Sequence, residues 1–232
     1  MIRYPVFIIG AGRSGTTMFR LMLNSHPDIY VPPEAWFFGD LLFKFYNKKT
    51  LTINDLKTAR FIITSNVRWP DWKCSDEVLD AALDFKSPPT IRELIESVFF
   101  NCSQLGDRKI WGEKSPRHSH LITQMKEVFP DAKFIHVIRD GRDSCISIYN
   151  RGWWDRSFPR ICEHWSSCVK AAIKGRNFPA EQYLEIRYED LVANPKSTLE
   201  KVCIFLNIEF YSSMIEFNKR IEVDVPEREA IA

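Results

Sequence analysis

The chain of 232 residues carries 32 Lys and Arg against 30 Asp and Glu, a formal net charge of +2. At about 150 residues per domain this length suits one large domain, or one domain with an insertion, and the 45% of hydrophobic residues can furnish its core. So small a net charge gives no support to wholesale binding of nucleic acid or of a membrane surface, and any basic function has to come from local clusters.

The first predicted element is an apolar strand over Val6–Ile9, followed by a glycine-rich turn and a helix. The turn reads Gly10-Ala11-Gly12-Arg13-Ser14-Gly15-Thr16-Thr17. It matches the phosphate-cradling pattern G-x-x-x-x-G, with Thr16 where that pattern has lysine and Thr17 in the hydroxyl position. The glycines let the backbone turn tightly, and the amides that open the helix point at an anion with the helix dipole behind them. Arg13 adds a fork-shaped cation, and Thr16 and Thr17 add hydroxyls. A triphosphate site uses the lysine to bridge the outer phosphates and an Asp to help hold Mg²⁺. Without that lysine the loop suits a nucleotide whose phosphates are met by arginine, hydroxyls and amides, with no metal.

Beyond the first helix, "VPPEAWFF" places Pro32 and Pro33 before Glu34 and the run Trp36–Phe38 after it. A carboxylate desolvated beside aromatic rings gains proton affinity, which suits a general base. The stretch 37–87 departs from strand–helix alternation and reads as a helical insertion over the ligand edge. Its "RWPDWK" offers Trp69 and Trp72 either to an acceptor pocket or to core or lid packing. "TIRELIESVFF" then opens a helix with a capping box, Thr90 and Glu93.

A second strand is expected over 109–112, followed by "WGEKSPRHSH" with Lys114, His118 and His120; the spacing around these histidines does not favour a zinc site. A third strand, Lys133–Ile138, ends in Arg139 before Asp140, so a cation comes first at that strand end. A helix starting near Gly141 puts Ser144, Ser147 and Arg151 on one face at i, i+3 and i+7, next to Arg139. Arg142 and Asp143 fit a solvated face. Ile161, Trp165, Val169 and Ala172 mark a further helical face. A fourth strand, 183–186, leads into "IRYEDL" with Tyr188. In "NPKSTLEKVCIFL", Asn194 suits the cap and Pro195 the first turn, with Leu199, Val202, Cys203 and Leu206 on the apolar face. This alternation predicts a single α/β domain over 1–232, a P-loop-type open parallel sheet flanked by helices, with ligands at the carboxyl ends of the strands.

The six cysteines form no C-x-x-C pair and several lie in apolar stretches, as reduced and mostly buried thiols do. No signal peptide precedes the first strand and no run of about 18 apolar residues is present, so a cytoplasmic chain without a membrane span is expected.

Together, "GAGRSGTT", "PPEAWFF", "GEKSP", "FIHVIRDGRDSCISIYNR" and "IRYEDLVANP" resemble a sulfotransferase that uses 3′-phosphoadenosine-5′-phosphosulfate, of the branch that includes tyrosylprotein sulfotransferases and bacterial homologues. The resemblance runs in order across about residues 5–210. It implies that Arg13, Ser14, Gly15, Thr16 and Thr17 hold the 5′-phosphosulfate. It implies that Arg139 and Ser147 grip the 3′-phosphate, with Arg151 a further basic position and Tyr188 beside the nucleotide. Lys114 corresponds to a lysine that steadies charge on the leaving phosphate and the sulfuryl group, and Glu34 to the acceptor-deprotonating base. Tyrosylprotein sulfotransferases carry two adjacent acids where this chain has one. Related chains also run on with a segment that closes over the nucleotide, whereas this sequence stops at "VPEREAIA".

The reading is therefore metal-free, in-line sulfuryl transfer to a hydroxyl or amine of a small molecule, sugar, lipid or peptide, with adenosine 3′,5′-bisphosphate as product. The alternatives are a P-loop nucleotide kinase or NTPase, which a Mg²⁺ requirement would separate, and a catalytically inactive nucleotide-binding module.

Overall fold

Five short strands form one parallel sheet in a computed structural model that describes residues 4–152 and 157–220. In chain order they are β1 (Val6–Ile9), β2 (Ile29–Tyr30), β3 (Ile110–Lys114), β4 (Lys133–Ile138) and β5 (Tyr183–Arg187), arranged β2-β3-β1-β4-β5. Parallel neighbours need crossovers, and ten α-helices of the described residues supply and flank them. They are α1 (Thr16–Asn24), α2 (Trp36–Phe45), α3 (Ile53–Thr64), α4 (Asp76–Ala82), α5 (Ile91–Cys102), α6 (Ile122–Val128), α7 (Gly141–Arg151), α8 (Phe158–Ala172), α9 (Tyr188–Ala193) and α10 (Pro195–Leu206). Sequence periodicity misses β2, because two residues are too short to show alternation. It also ends the second strand too early: β3 runs on to Lys114, which thereby reaches the ligand edge.

Side chains alternate across the central strand β1, so Phe7 and Ile9 serve one core and Val6 and Ile8 the other. On the first face the Phe7 ring lies 5.3 Å from Phe134 and 5.6 Å from Phe38, and it meets Trp111 edge-on at 6.0 Å. On the second face α1 and α10 pack through Phe19, Leu23, Leu199, Val202 and Leu206. Burial on both faces explains why these strands read as nearly continuous apolar runs.

The stretch expected as an insertion carries α2, α3 and α4, which share the first core with Phe7 and Trp111. Trp69 and Trp72 lie in a 3₁₀ turn and are 7% and 4% exposed. Trp72 sits 5.0 Å from the Phe37 ring and 4.9 Å from that of Phe99. Both indoles are thus core packing, and the acceptor-pocket role falls away. An indole buries so much apolar surface that packing it takes precedence over lining a wet cleft.

Of the expected caps, Thr90 and Glu93 form their box: Glu93 N–H donates to Thr90 Oγ1 at 3.2 Å and Thr90 N–H to Glu93 Oε2 at 2.7 Å. Asn194 makes no side-chain cap. It is shared by two helices, its N–H closing α9 on Asp190 O and its carbonyl accepting from Thr198 N–H at the start of α10. The α8 face is also rotated from the expected one. Ile161, Cys168, Ala171 and Ala172 are buried, and Trp165 and Val169 sit half-buried at its border. All six cysteines are free thiols, four of them buried. Burial pushes the thiols of Cys168 and Cys203 up to about 11, which keeps them protonated. The tail "VPEREAIA" lies outside the described residues.

Candidate active site at the carboxyl edge of the sheet

The chain leaves β1 at Gly10 with φ 154, where a Cβ would stand 2.5 Å from Val137 O. Its N–H donates to Ser119 Oγ at 2.9 Å, and the Ser119 hydroxyl donates back to Gly10 O at 2.9 Å. The loop is thus fastened from the segment that follows β3. Arg13 has φ 65 and Gly15 φ 86, so the turn holds a non-glycine residue in the left-handed region. Such conformations persist where the surroundings over-determine them, typically at functional sites. Arg139 Nη1 donates to Arg13 O at 3.1 Å and Arg13 Nε donates to Ser147 Oγ at 3.1 Å, which holds the turn from both sides.

No side chain caps the start of α1 and no acid lies in its first turn. Ser14 Oγ is buried and has no hydrogen-bond partner among the described residues. Amide N–H groups at a helix start with an unsatisfied hydroxyl beside them form an anion cradle. Thr16 is buried at the base of this turn, and Thr17 faces β3.

Beside the cradle, burial and then the like charges of Arg151 and Arg139 hold the Arg13 guanidinium below its ordinary value. A cavity of about 420 Å³ opens there, lined by Arg139, Asp143, Ile146, Ser147, Asn150 and Arg151. Arg139 lies over the Tyr188 ring at 4.5 Å, and Arg139 Nε has no hydrogen-bond partner among the described residues. The Tyr188 ring fills the space where a Cβ at Gly15 would be, 2.2 Å away. Asp140 caps α7 through Arg142 N–H and also pairs with the Arg142 side chain, so Arg142 is spent locally as expected. An arginine rim next to a loop of amides fits a nucleotide with phosphate groups at two places.

The lysine absent from the loop arrives from β3. Lys114 is fully buried; its Nζ lies 3.1 Å from Thr17 Oγ1 and 2.6 Å from Glu34 Oε1. Parallel register sets Lys114 beside Ile8, one residue before the end of β1. Glu34 is 9% exposed. Its Oε2 accepts from Trp36 Nε1 at 2.7 Å, and the Arg68 guanidinium stands 3.6 Å away. Besides the Trp36 indole, the buried Glu34 carboxylate therefore faces two cations that its local sequence did not show. Arg68 lies over the Trp36 ring at 4.7 Å and is paired with Asp71 at 3.5 Å.

The histidines do not converge here. His118 is buried with Nδ1 3.0 Å from Glu113 Oε2, and the Ser115 hydroxyl donates to the same carboxylate. His120 faces α8, its Nε2 3.7 Å from Cys168 Sγ. Sequence reasoning missed Ser119, Trp36 as a donor, and Arg68. Ser119 follows "GEKSP" closely enough to have been suspected, whereas Arg68, 34 positions after Glu34, leaves no local signal.

A glycine-rich loop after the first strand, uncapped helix amides and an arginine rim at the carboxyl edge define an α/β protein of P-loop type with an anion cradle at that edge. The family model "Sulfotransferase family" matches residues 5–212, and the chain belongs to that family. Protein-tyrosine sulfotransferase 1 of Danio rerio is 28% identical over 221 residues, covering 93% of this chain and 56% of the relative. Protein-tyrosine sulfotransferase of Drosophila melanogaster is 24% identical, covering 93% and 40%. The chain spans about half the length of the curated relatives it matches. Among solved structures, the sulfotransferase domain of the Synechococcus PCC 7002 olefin synthase superposes with a TM-score of 0.67 at 23% identity, covering 98% of this chain and 82% of that one. Mouse sulfotransferase SULT7A1 complexed with PAP gives 0.52 at 12% identity, covering 100% and 73%. The five-stranded parallel sheet flanked by helices is thus the sulfotransferase fold.

The cytoplasmic expectation is corrected by these relatives. Kinship to protein-tyrosine sulfotransferases contradicts it, and the absence of an apolar run was no measure of location. No helix among the described residues is long and apolar enough to cross a membrane.

Proposed function

We propose that the chain moves a sulfuryl group from 3′-phosphoadenosine-5′-phosphosulfate to an acceptor hydroxyl or amine. The observation that carries this is the meeting of Lys114 with both Glu34 and Thr17, which puts a carboxylate, a buried cation and the phosphate loop at one point. In this reading Glu34 accepts the proton of the attacking group while the new sulfur–oxygen (or sulfur–nitrogen) bond forms. The bond from sulfur to the 5′-phosphate oxygen breaks, and its electron pair stays on that oxygen. Lys114, already in place, stabilises that growing charge without rearrangement cost at the moment of reaction.

The loop residues Arg13, Ser14, Gly15, Thr16 and Thr17 serve the 5′ side. Arg139, Ser147 and Arg151 serve the 3′-phosphate, which the planar arginine fork meets in bidentate fashion. Tyr188, backed by Arg139, flanks the loop. The names of the curated relatives make a tyrosine-containing peptide the first acceptor to try.

The test is incubation of the protein with donor carrying labelled sulfate and a mixture of peptide, sugar, lipid and phenol acceptors, with mass identification of the product. Label transferred to one acceptor class without added Mg²⁺ supports the reading. Phosphoryl transfer from Mg²⁺-ATP with no sulfuryl transfer would replace it with the kinase reading.

A further inference from the structure

The two oxygens of Glu34 are held by different partners. Oε1 is taken by Lys114 at 2.6 Å, on the side of the phosphate loop. Oε2 is taken by the indole of Trp36 at 2.7 Å with the Arg68 guanidinium 3.6 Å away, on the side of the helical insertion. The second grip is itself anchored, since Arg68 is stacked on Trp36 and paired with Asp71. A carboxylate whose Oε1 is bound to an ammonium cannot take an acceptor's proton at that oxygen.

Lys114 is fully buried, so it needs a counter-charge at all times. Its second contact is Thr17 Oγ1, on the rim where a donor's phosphosulfate would lie. An arriving anion therefore competes with Glu34 for Lys114.

We propose that Lys114 exchanges partners, leaving Glu34 Oε1 for the sulfuryl donor, while Trp36 and Arg68 keep Oε2 in place, so that the base is released only when the donor is seated. This rests on the sulfotransferase reading above and deepens it. No covalent bond changes in the exchange. Trp36 and Arg68 are positioning residues: they keep the carboxylate from following the departing ammonium. The consequence is an order of events, donor before acceptor.

Calorimetric titration tests this without knowledge of the acceptor, using 3′-phosphoadenosine-5′-phosphosulfate and adenosine 3′,5′-bisphosphate as probes. Glu34→Gln removes the competing charge, so the phosphosulfate should bind about tenfold tighter, the scale of a modest close charge-pair coupling, and the bisphosphate, whose 5′-phosphate reaches the same rim, should gain too. Trp36→Phe keeps the ring and removes the N–H, and Arg68→Gln removes the second cation. In either variant Glu34 depends more on Lys114, so the phosphosulfate should bind several-fold more weakly. That loss should vanish when the same change is made on the Glu34→Gln background, whereas a merely structural role would weaken binding on both backgrounds. Arg68→Lys should recover part of the loss. Unchanged phosphosulfate affinity in Glu34→Gln would overturn the exchange, and equal losses on both backgrounds would remove Trp36 and Arg68 from it. If the parent bound neither nucleotide, the sulfotransferase reading itself would fail, which is a separate result.

Discussion

Around the phosphate loop the guanidiniums of Arg13, Arg139 and Arg151 share one rim, close enough for the other two to lower the pKa of Arg13. Around Glu34 the cations are interleaved with acids: Lys114 meets Glu34 itself, Arg68 meets Glu34 and Asp71, and Arg117 meets Asp40 at 3.9 Å. The first region gathers three guanidiniums, and in the proposed function they meet the phosphates of the nucleotide. In the second, cation and acid are already paired before any ligand arrives. Under this contrast, substitutions at the rim should act on binding and those at the pair on rate.

The largest effect is expected at the pair. Glu34→Gln keeps the shape and removes the base, so at saturating donor sulfuryl transfer should slow by at least ~10²-fold with no loss of bisphosphate affinity. Near-parental turnover would move the base elsewhere. Lys114→Ala should lower turnover by on the order of a hundredfold, with a smaller effect on nucleotide affinity. A pure binding loss with turnover intact would place Lys114 on the binding side of the comparison.

The rim is tested by ligand-induced stabilisation. At a hundred times its dissociation constant, adenosine 3′,5′-bisphosphate should add ~2.7 kcal/mol to stability, and ATP much less, measured as a shift in Tm. A greater shift with Mg²⁺-ATP would favour the kinase. Arg139→Ala and Ser147→Ala should weaken the 3′-phosphorylated nucleotide by roughly 1.5–3 kcal/mol each. Because both side chains also hold Arg13, a smaller loss should appear with the analogue lacking the 3′-phosphate. Equal losses for the two nucleotides would assign both residues to the loop alone.

The smallest effect lies away from both regions. Thr90→Ala removes the cap of α5, and should cost about 1 kcal/mol of stability in denaturant titration while leaving nucleotide affinity unchanged. A change in affinity would mean that the helical insertion and the site are coupled through α5.

The donor side was legible because its chemistry is local. Strand, loop and helix follow one another within Val6–Asn24, and Arg139, Ser147 and Arg151 lie within thirteen positions on one strand end and one helix. Around Glu34 the resemblance pointed to the acid and to Lys114, while Trp36 as a donor and Arg68 went unseen. Glu34, Lys114 and Arg68 come from three distant stretches, and the pairing of β3 with β1 brings Lys114 to the loop. The tryptophans show the same limit. In "RWPDWK" the two indoles serve the core, and it is the motif's first residue, Arg68, that reaches Glu34. Asn194 failed as a cap because a residue serving two helices at once is invisible to rules written for one helix end.

The Tyr188 ring occupies the place of a side chain at Gly15, and Arg139 rests over the same ring. Three stretches spread over more than 170 positions of sequence thus form one wall. A fragment cut at the end of α8 would keep the glycine-rich loop and the arginine cluster of α7 and lose the Tyr188 backing of that loop. An alanine at position 15, sterically trivial in most turns, would displace that ring and carry Arg139 with it. The glycine is a joint between the first and last strands as much as a hinge of the loop.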